Sequence, residues 1–377
     1  EVDVVLLIQR PTCVLRAALT SLDVHVRPRY VHMVLDACSA LPPFLDALPA
    51  ALRRRVRCVA LSAVLPAFPP TAMAKHLRAT RSAIPAARHS WYYQQLVKLA
   101  LASAAGMPRL VYMWDGDTLP LRDFPEPEGA DGRVPLLWGG ELDSAAYFLK
   151  GGGVPPGYVA STAALLGTPP PTNVSYVTQW QIWAPAHVRG MLAEFAARAA
   201  GGAAGGVAGG APQWALAVLK SVPAEHAWLG FSEYTAYAHY VLTRAPHAVR
   251  LLSSADFPWL RDPPLGLLDE HGECCPSEES LCQLQVAGIA FVSWECSHTS
   301  ELRRPGLSAA QAAAVQAAAA ARARQLAVTA SPPPPSLAPG DPPVSAAPEA
   351  PPSLPSSPLP LEALQLIITQ SPPEPLV

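Results

Sequence analysis

The chain has 377 residues, 50% hydrophobic and 15% charged, enough to bury a large core in one large or two ordinary domains. A formal net charge of −2 without a basic stripe argues against a nucleic-acid partner, and no apolar stretch is long and unbroken enough to be a convincing membrane span. Of the 29 acidic residues, four fall in 331–377, where no Lys or Arg occurs, so the remainder, with 27 basic residues, is close to neutral.

In chain order, strands are predicted at VDVVLLI (2–8), YVHMVLD (30–36) and VRCVALS (56–62), then a helix at WYYQQLVKLALASAAG (91–106) and a strand at LVYMW (110–114). Short apolar runs separated by helical or irregular segments read as an open α/β sheet with helices on its faces. Ligands of such sheets bind beyond the carboxyl ends of the strands. AARAAGGAAGGVAGGAP (196–212), with six glycines between 201 and 210, is expected to be a flexible surface insertion. FSEYTAYAHYVLTRAP (231–246) is expected to be a helix with aromatics on one side. The Ala-rich segment 308–327 has strong helix propensity and little to bury. Beyond it, 16 of the last 47 residues are Pro, a composition that builds no core. The expected organisation is one domain over 1–305, a helix or linker over 306–330 and a disordered tail over 331–377.

Seven cysteines cannot all pair internally. Cys13, Cys38 and Cys58 stand among apolar residues and are expected to be buried thiols, whereas Cys274, Cys275, Cys282 and Cys296 cluster in and near turn-rich sequence and are expected to form disulfides rather than a zinc site. Asn173-Val174-Ser175 is a glycosylation sequon, relevant only in the secretory pathway. The chain starts at Glu1 and runs directly into a strand, as a processed or truncated form would. If an anchor is missing, the Golgi or secretory lumen is the expected location, and otherwise the cytoplasm.

The stretch LVYMWDGDTLPLR (110–122) sets Asp115 and Asp117 at the end of an apolar run. Two carboxylates that close repel each other and resist desolvation, so a chain that places them there usually holds a cation. A calcium EF-hand loop fails as a template, because Leu119 takes a ligand position and Pro120 replaces the required Gly. A haloacid-dehalogenase-like phosphatase signature, Asp-x-Asp-Gly-Thr, fits poorly, since Gly116 comes two places early and Thr118 one. The remaining template is the Asp-x-Asp of nucleotide-sugar glycosyltransferases, in which the acids sit under a divalent ion that bridges to diphosphate oxygens.

Three ordered motifs, WYYQQLVKL, MWDGDTLPLR and GFSEYTAYAHYV, resemble the DUF6492 family over roughly residues 1–300. That family looks like a branch of the GT-A nucleotide-diphospho-sugar transferases. Gly116 stands where the family pattern commonly has Ser. The resemblance implies a GT-A-like open mixed sheet flanked by helices and a metal-dependent transfer of a sugar from a nucleotide-diphosphate donor to a hydroxyl of a glycan, protein or small molecule. It implies Mn²⁺ or Mg²⁺ at Asp115 and Asp117, with His298 as a third ligand. On helical spacing Trp91, Gln95 and Lys98 share a face with Gln94 beside them, and a donor-site role follows, with Lys98 as a point charge toward phosphate. Gln9 and Arg10 end the first strand, where a nucleotide is expected. Asp115 counts among the donor contacts as well. Glu233 is either a helix cap after Ser232 or the catalytic base toward the acceptor. Tyr234 and Tyr237 are expected to pack rather than react, and Trp294 to stack on a sugar or fill the core. The rival from another class is a non-catalytic carbohydrate-binding or wall-associated protein.

Overall fold

A computed structural model describes residues 2–8, 12–125, 132–137, 154–171, 175–199, 211–252, 257–261, 275–286 and 288–294. Gln9, Arg10, the sequon asparagine, Cys274, Cys296, His298, the Ala-rich segment and the Pro-rich tail lie outside these residues.

The strands β1 (Asp3–Leu7), β2 (Val31–Leu35), β3 (Val56–Ala60), β4 (Val111–Asp115) and β7 (Trp180–Trp183) form one sheet in the order β3-β2-β1-β4-β7. The first four run parallel and β7 closes the edge antiparallel to β4. This is the open mixed sheet flanked by helices that the sequence predicts. Smaller sheets are built from β5 (Thr118–Pro120), β10 (Phe291–Ser293) and β9 (Trp259–Arg261), and from β6 (Val134–Leu137) with β8 (Val249–Leu252).

The helices are α1 (Cys13–His25), α2 (Pro42–Leu45), α3 (Ala50–Arg53), α4 (Leu61–Val64), α5 (Pro70–Ala79), α6 (His89–Ser103), α7 (Pro156–Leu166), α8 (Pro185–Ala199), α9 (Gln213–Ser221), α10 (Glu233–Arg244) and α11 (Glu278–Val286). Parallel strands covered on both sides need apolar side chains at odd and even positions alike, and the central runs supply them. Val5, Val34, Val59, Val111 and Met113 face a layer containing α5 to α10. Val4, Leu6, Met33, Tyr112 and Trp114 face the opposite layer, made by α1, α2, α3 and the aromatic residues Phe124, Phe257, Trp259 and Phe291 of the small sheets and their loops.

Local signals account for the helix starts nearest the sheet. Thr12 caps α1 by accepting the Leu15 N–H, and Ser232 caps α10 by accepting that of Thr235. The amino-terminal edge of the sheet carries a neutralised acid: Asp3, buried, accepts two bonds from Arg29 at 2.8 and 3.1 Å and one from His32 at 2.9 Å. Burial pushes its carboxyl upward, and the His32 and Arg29 contacts outweigh that and hold it below the usual range.

Two expectations are corrected. The segment expected to be insertion from residue 196 still belongs to α8 through Ala199, whose Val188, Met191, Leu192 and Phe195 fasten it to the core. Cys13, Cys38 and Cys58 are not thiols: Cys13 is bonded to Cys275 and Cys38 to Cys58. Apolar neighbours suggested burial, but Cys58 lies on β3 beside β2, and Cys38 follows β2, a proximity that only strand pairing creates. Cys282 is free and exposed.

The Cys13–Cys275 bond closes a loop of 262 residues, against 20 for Cys38–Cys58. Loop-closure entropy grows with the logarithm of that length, so removing the long link by Cys13→Ser with Cys275→Ser should cost about 5.5 kcal/mol and removing the short one about 2 kcal/mol less. Urea denaturation of both double variants checks this. Equal, negligible losses would mean that these cysteines do not constrain the chain.

Candidate functional site

The strand order reverses at β1, with β2 and β3 on one side and β4 on the other, so connections diverge and leave a crevice at the carboxyl ends of β1 and β4. Asp115 ends β4 there, in register with Leu7 of β1. Gly116 and Asp117 turn the chain into β5. A Cβ on Gly116 would come 2.5 Å from Cγ2 of Ile8, just past β1, so a side chain there would require Ile8 to shift. The turn is pinned from two directions: the Trp294 N–H donates to the Asp117 carbonyl at 2.7 Å, and the Trp114 indole donates to the Thr118 carbonyl at 2.7 Å.

Beside the turn stands Lys98 of α6, 8% exposed. Its ammonium donates to Asp115 Oδ1 at 2.6 Å, to Glu233 Oε1 at 2.8 Å and to the Tyr234 hydroxyl at 3.4 Å. The Tyr234 hydroxyl in turn donates to Asp115 Oδ1 at 3.0 Å. Burial alone would drive the proton off Lys98, but Asp115 and Glu233 reverse that and hold its pKa well above the ordinary lysine value, so it stays charged. Tyr234 is raised by burial and then by Asp115, and stays protonated as a donor. Among the described residues one ammonium therefore faces the two carboxylates of Asp115 and Glu233, a formal excess of one negative charge.

The spacing along α6 explains how Glu233 reaches this place. Arg88 Nε donates to the Trp228 carbonyl at 2.9 Å. The Tyr92 hydroxyl donates to the Ala227 carbonyl and accepts the Gly230 N–H, both at 2.9 Å. Gln95 Oε1 accepts the Glu233 N–H at 3.1 Å. Residues 88, 92, 95 and 98, three or four apart, form one stripe that holds the strap 227–233 against the helix and delivers Glu233 to Lys98. Gly230 is required in the strap, since a Cβ there would stand 2.7 Å from the Tyr92 hydroxyl.

Asp115, Lys98, Gln95 and Glu233 are thus brought together in one cluster. Lys98 makes three bonds within the protein, to Asp115, Glu233 and Tyr234. Glu233 is 4% exposed, bonded to the Lys98 ammonium and seated at the start of α10. Trp91 is half-buried one turn before Gln95, and Gln94 is also half-buried. Trp294 fills the core with Val14, Leu119 and Leu284. Tyr237 packs on Trp183, with ring centroids 5.1 Å apart, and its hydroxyl accepts the Ala184 N–H. Tyr234, expected only to pack, belongs to the polar cluster.

Gln179 escaped the sequence reading altogether. It adopts φ 64°, in the left-handed region unusual for a non-Gly residue, and its carbonyl accepts the Asp115 N–H at 2.9 Å. Nothing in the residue types around it announces that conformation.

Among the described residues no three His, Cys, Asp or Glu side chains converge as a complete metal-ligand set. Both side-chain bonds that the described residues make to Asp115 fall on Oδ1, and its side chain is 24% exposed. No helix among the described residues is long and apolar enough to cross a membrane.

No family model matches the chain, and no curated protein matches it either. Among solved structures it is similar to apo mouse xyloside xylosyltransferase 1, at 10% identity and TM-score 0.38 over 78% of this chain and 99% of that one. It is also similar to the PaToxG glycosyltransferase, at 8% identity and TM-score 0.27 over 87% of each chain. Both neighbours are glycosyltransferases, and scores this low carry no argument beyond that statement.

Removing Lys98 leaves two carboxylates facing each other in a largely dry site. Lys98→Met should therefore destabilise the fold by about 3–5 kcal/mol, the usual cost of breaking a buried pair from one side. Glu233→Gln keeps a neutral partner for Lys98 and should cost about 1–3 kcal/mol. Denaturant unfolding of both variants measures this, and a loss below about 0.5 kcal/mol for Lys98→Met would contradict the bridging role.

Proposed function

We propose that the protein transfers a sugar from a nucleotide-diphosphate donor to a hydroxyl acceptor, with the diphosphate bound at the crevice between β1 and β4. The observation that carries this reading is the net anionic cluster at the reversal point of the sheet, where Lys98 neutralises only part of the charge of Asp115 and Glu233. An excess of buried negative charge at a ligand-binding edge is a site for a cation.

In this reading Asp115 and Asp117 hold Mn²⁺ or Mg²⁺, which when bound supplies Lewis acidity at the leaving diphosphate. Two carboxylates suit a hard ion that completes its coordination with phosphate oxygens and water. His298 is proposed as a further ligand, four positions after Trp294, whose N–H is bonded to Asp117. Lys98 and Tyr234 fix Asp115 through Oδ1 and thereby orient Oδ2 toward the crevice. Glu233 acts through Lys98, as a positioning residue. Gln9 at the end of β1 and Trp91 and Gln94 on α6 are proposed donor contacts. Gln95 holds the Glu233 backbone with its carbonyl oxygen, which leaves its amide group to donate to a donor hydroxyl. The two disulfides fit maturation in an oxidising compartment, in keeping with the secretory lumen.

Asp117→Asn deletes one anionic ligand at nearly constant volume. Calorimetric titration with Mn²⁺ and UDP or GDP should show binding to the parent and at least a tenfold loss in the variant, about 1.4 kcal/mol, with the melting temperature unchanged. Equal affinity in parent and variant would overturn the metal assignment.

A further inference from the structure

Trp228 is 51% exposed, and the other large hydrophobic side chains exposed among the described residues are only Val24 and Val286. An indole left in water calls for a reason, and one side of it is supported. The Arg88 guanidinium lies 5.1 Å from its ring centroid and 4.0 Å from that of Trp91, so the cation is held between the two indoles. Arg88 also binds the Trp228 carbonyl through Nε. Behind Trp91, Tyr158 of α7 is stacked nearly parallel, with an interplanar angle of 19° and centroids 6.4 Å apart.

The backbone beneath Trp228 is equally fixed. Gly157 of α7 is in close contact with the Leu229 carbonyl and Gly230, where a Cβ would not fit, and Tyr92 grips the chain on both sides of Trp228, through Ala227 and Gly230. A ring set in place before a ligand arrives loses little conformational entropy on binding.

We propose that Trp228, backed by Arg88 and Trp91, is the platform on which a sugar ring of the acceptor stacks. A pyranose has an apolar C–H face and a rim of hydroxyls, and this patch has the matching form: one indole bordered by the cation of Arg88, with the polar residues Glu225 and His226 three and two positions before it in the chain. A protein partner would call for a wider contiguous apolar area than one indole supplies. The position fits the acceptor side. Trp91 and Lys98 are seven residues apart on α6, nearly two full turns, so the indole that backs the platform lies on the same face of the helix as Lys98, with about 10 Å of rise between them. The strap that carries Trp228 also carries Glu233 to Lys98, so the platform and cluster share one rigid segment. The sugar-binding inference stands on Trp228 and its supports, and only its assignment to the acceptor rests on the transferase reading.

Calorimetric titration of the full chain with cellotriose, xylotriose, maltotriose and chitotriose tests it. The parent should bind at least one trisaccharide, Trp228→Ala should weaken that binding at least tenfold, and Trp228→Phe should stay within about threefold of the parent. Trp228→Ala should also keep the parental melting temperature and the parental response to Mn²⁺ with UDP. No binding by the parent, or equal binding by Trp228→Ala, overturns the platform. A parent that binds a trisaccharide but neither UDP nor GDP with Mn²⁺ would overturn the transferase reading and leave the platform standing, and the reverse result would remove the platform alone.

Discussion

The buried ammonium of Lys98 is the interaction on which the site depends. It joins the end of a central strand, through Asp115, to the start of α10, through Glu233 and Tyr234, segments separated by more than a hundred residues in the chain. Without the cation, two carboxylates would share a largely dry space, where each raises the cost of the other's charge. With it, they are held at fixed positions and still leave negative charge over.

The contrast with the other edge of the sheet shows what that residual charge means. Asp3 is also a buried acid on a central strand, and Arg29 and His32 satisfy it on both oxygens. That edge is closed as a matter of stability. Asp115 receives both side-chain bonds from the described residues on one oxygen, and Asp117 follows immediately in a turn whose backbone is fastened to Trp294 and, through Thr118, to Trp114. The same fold that completes the coordination of one acid leaves that of another open, at the crevice where ligands of such sheets enter.

The strands through residue 115 and helices α6 and α10 were legible because each is a short apolar run or a periodic segment bounded by clear breaks. The grouping of Asp115, Lys98 and Glu233 was legible as three ordered motifs, but the bonds among them were not. Spacing shows that Lys98 and Gln95 share a face, and cannot show that Lys98 would bond to Asp115, Glu233 and Tyr234. β7 has four buried residues and no alternation, so periodicity gave it no signature. Gln179 carries a left-handed backbone that only its bond to Asp115 accounts for. The disulfide pairings escaped for the same reason: Cys275 was expected in a disulfide, but its partner Cys13 meets it only after the whole sheet is assembled. At Gly116 the departure from the resembled pattern was legible, and the closeness of Ile8 was not.

The central claim is that the turn holding Asp115 and Asp117 receives a divalent ion together with a diphosphate. Crystals grown with Mn²⁺ and UDP, measured at the manganese absorption edge, address it directly. The account predicts an anomalous peak in contact with the Asp117 carboxylate and with Asp115 Oδ2, while Oδ1 keeps its bond to Lys98. A crystal with UDP bound and no anomalous density at this turn, or with Lys98 turned away from Asp115 onto the phosphates, would contradict it.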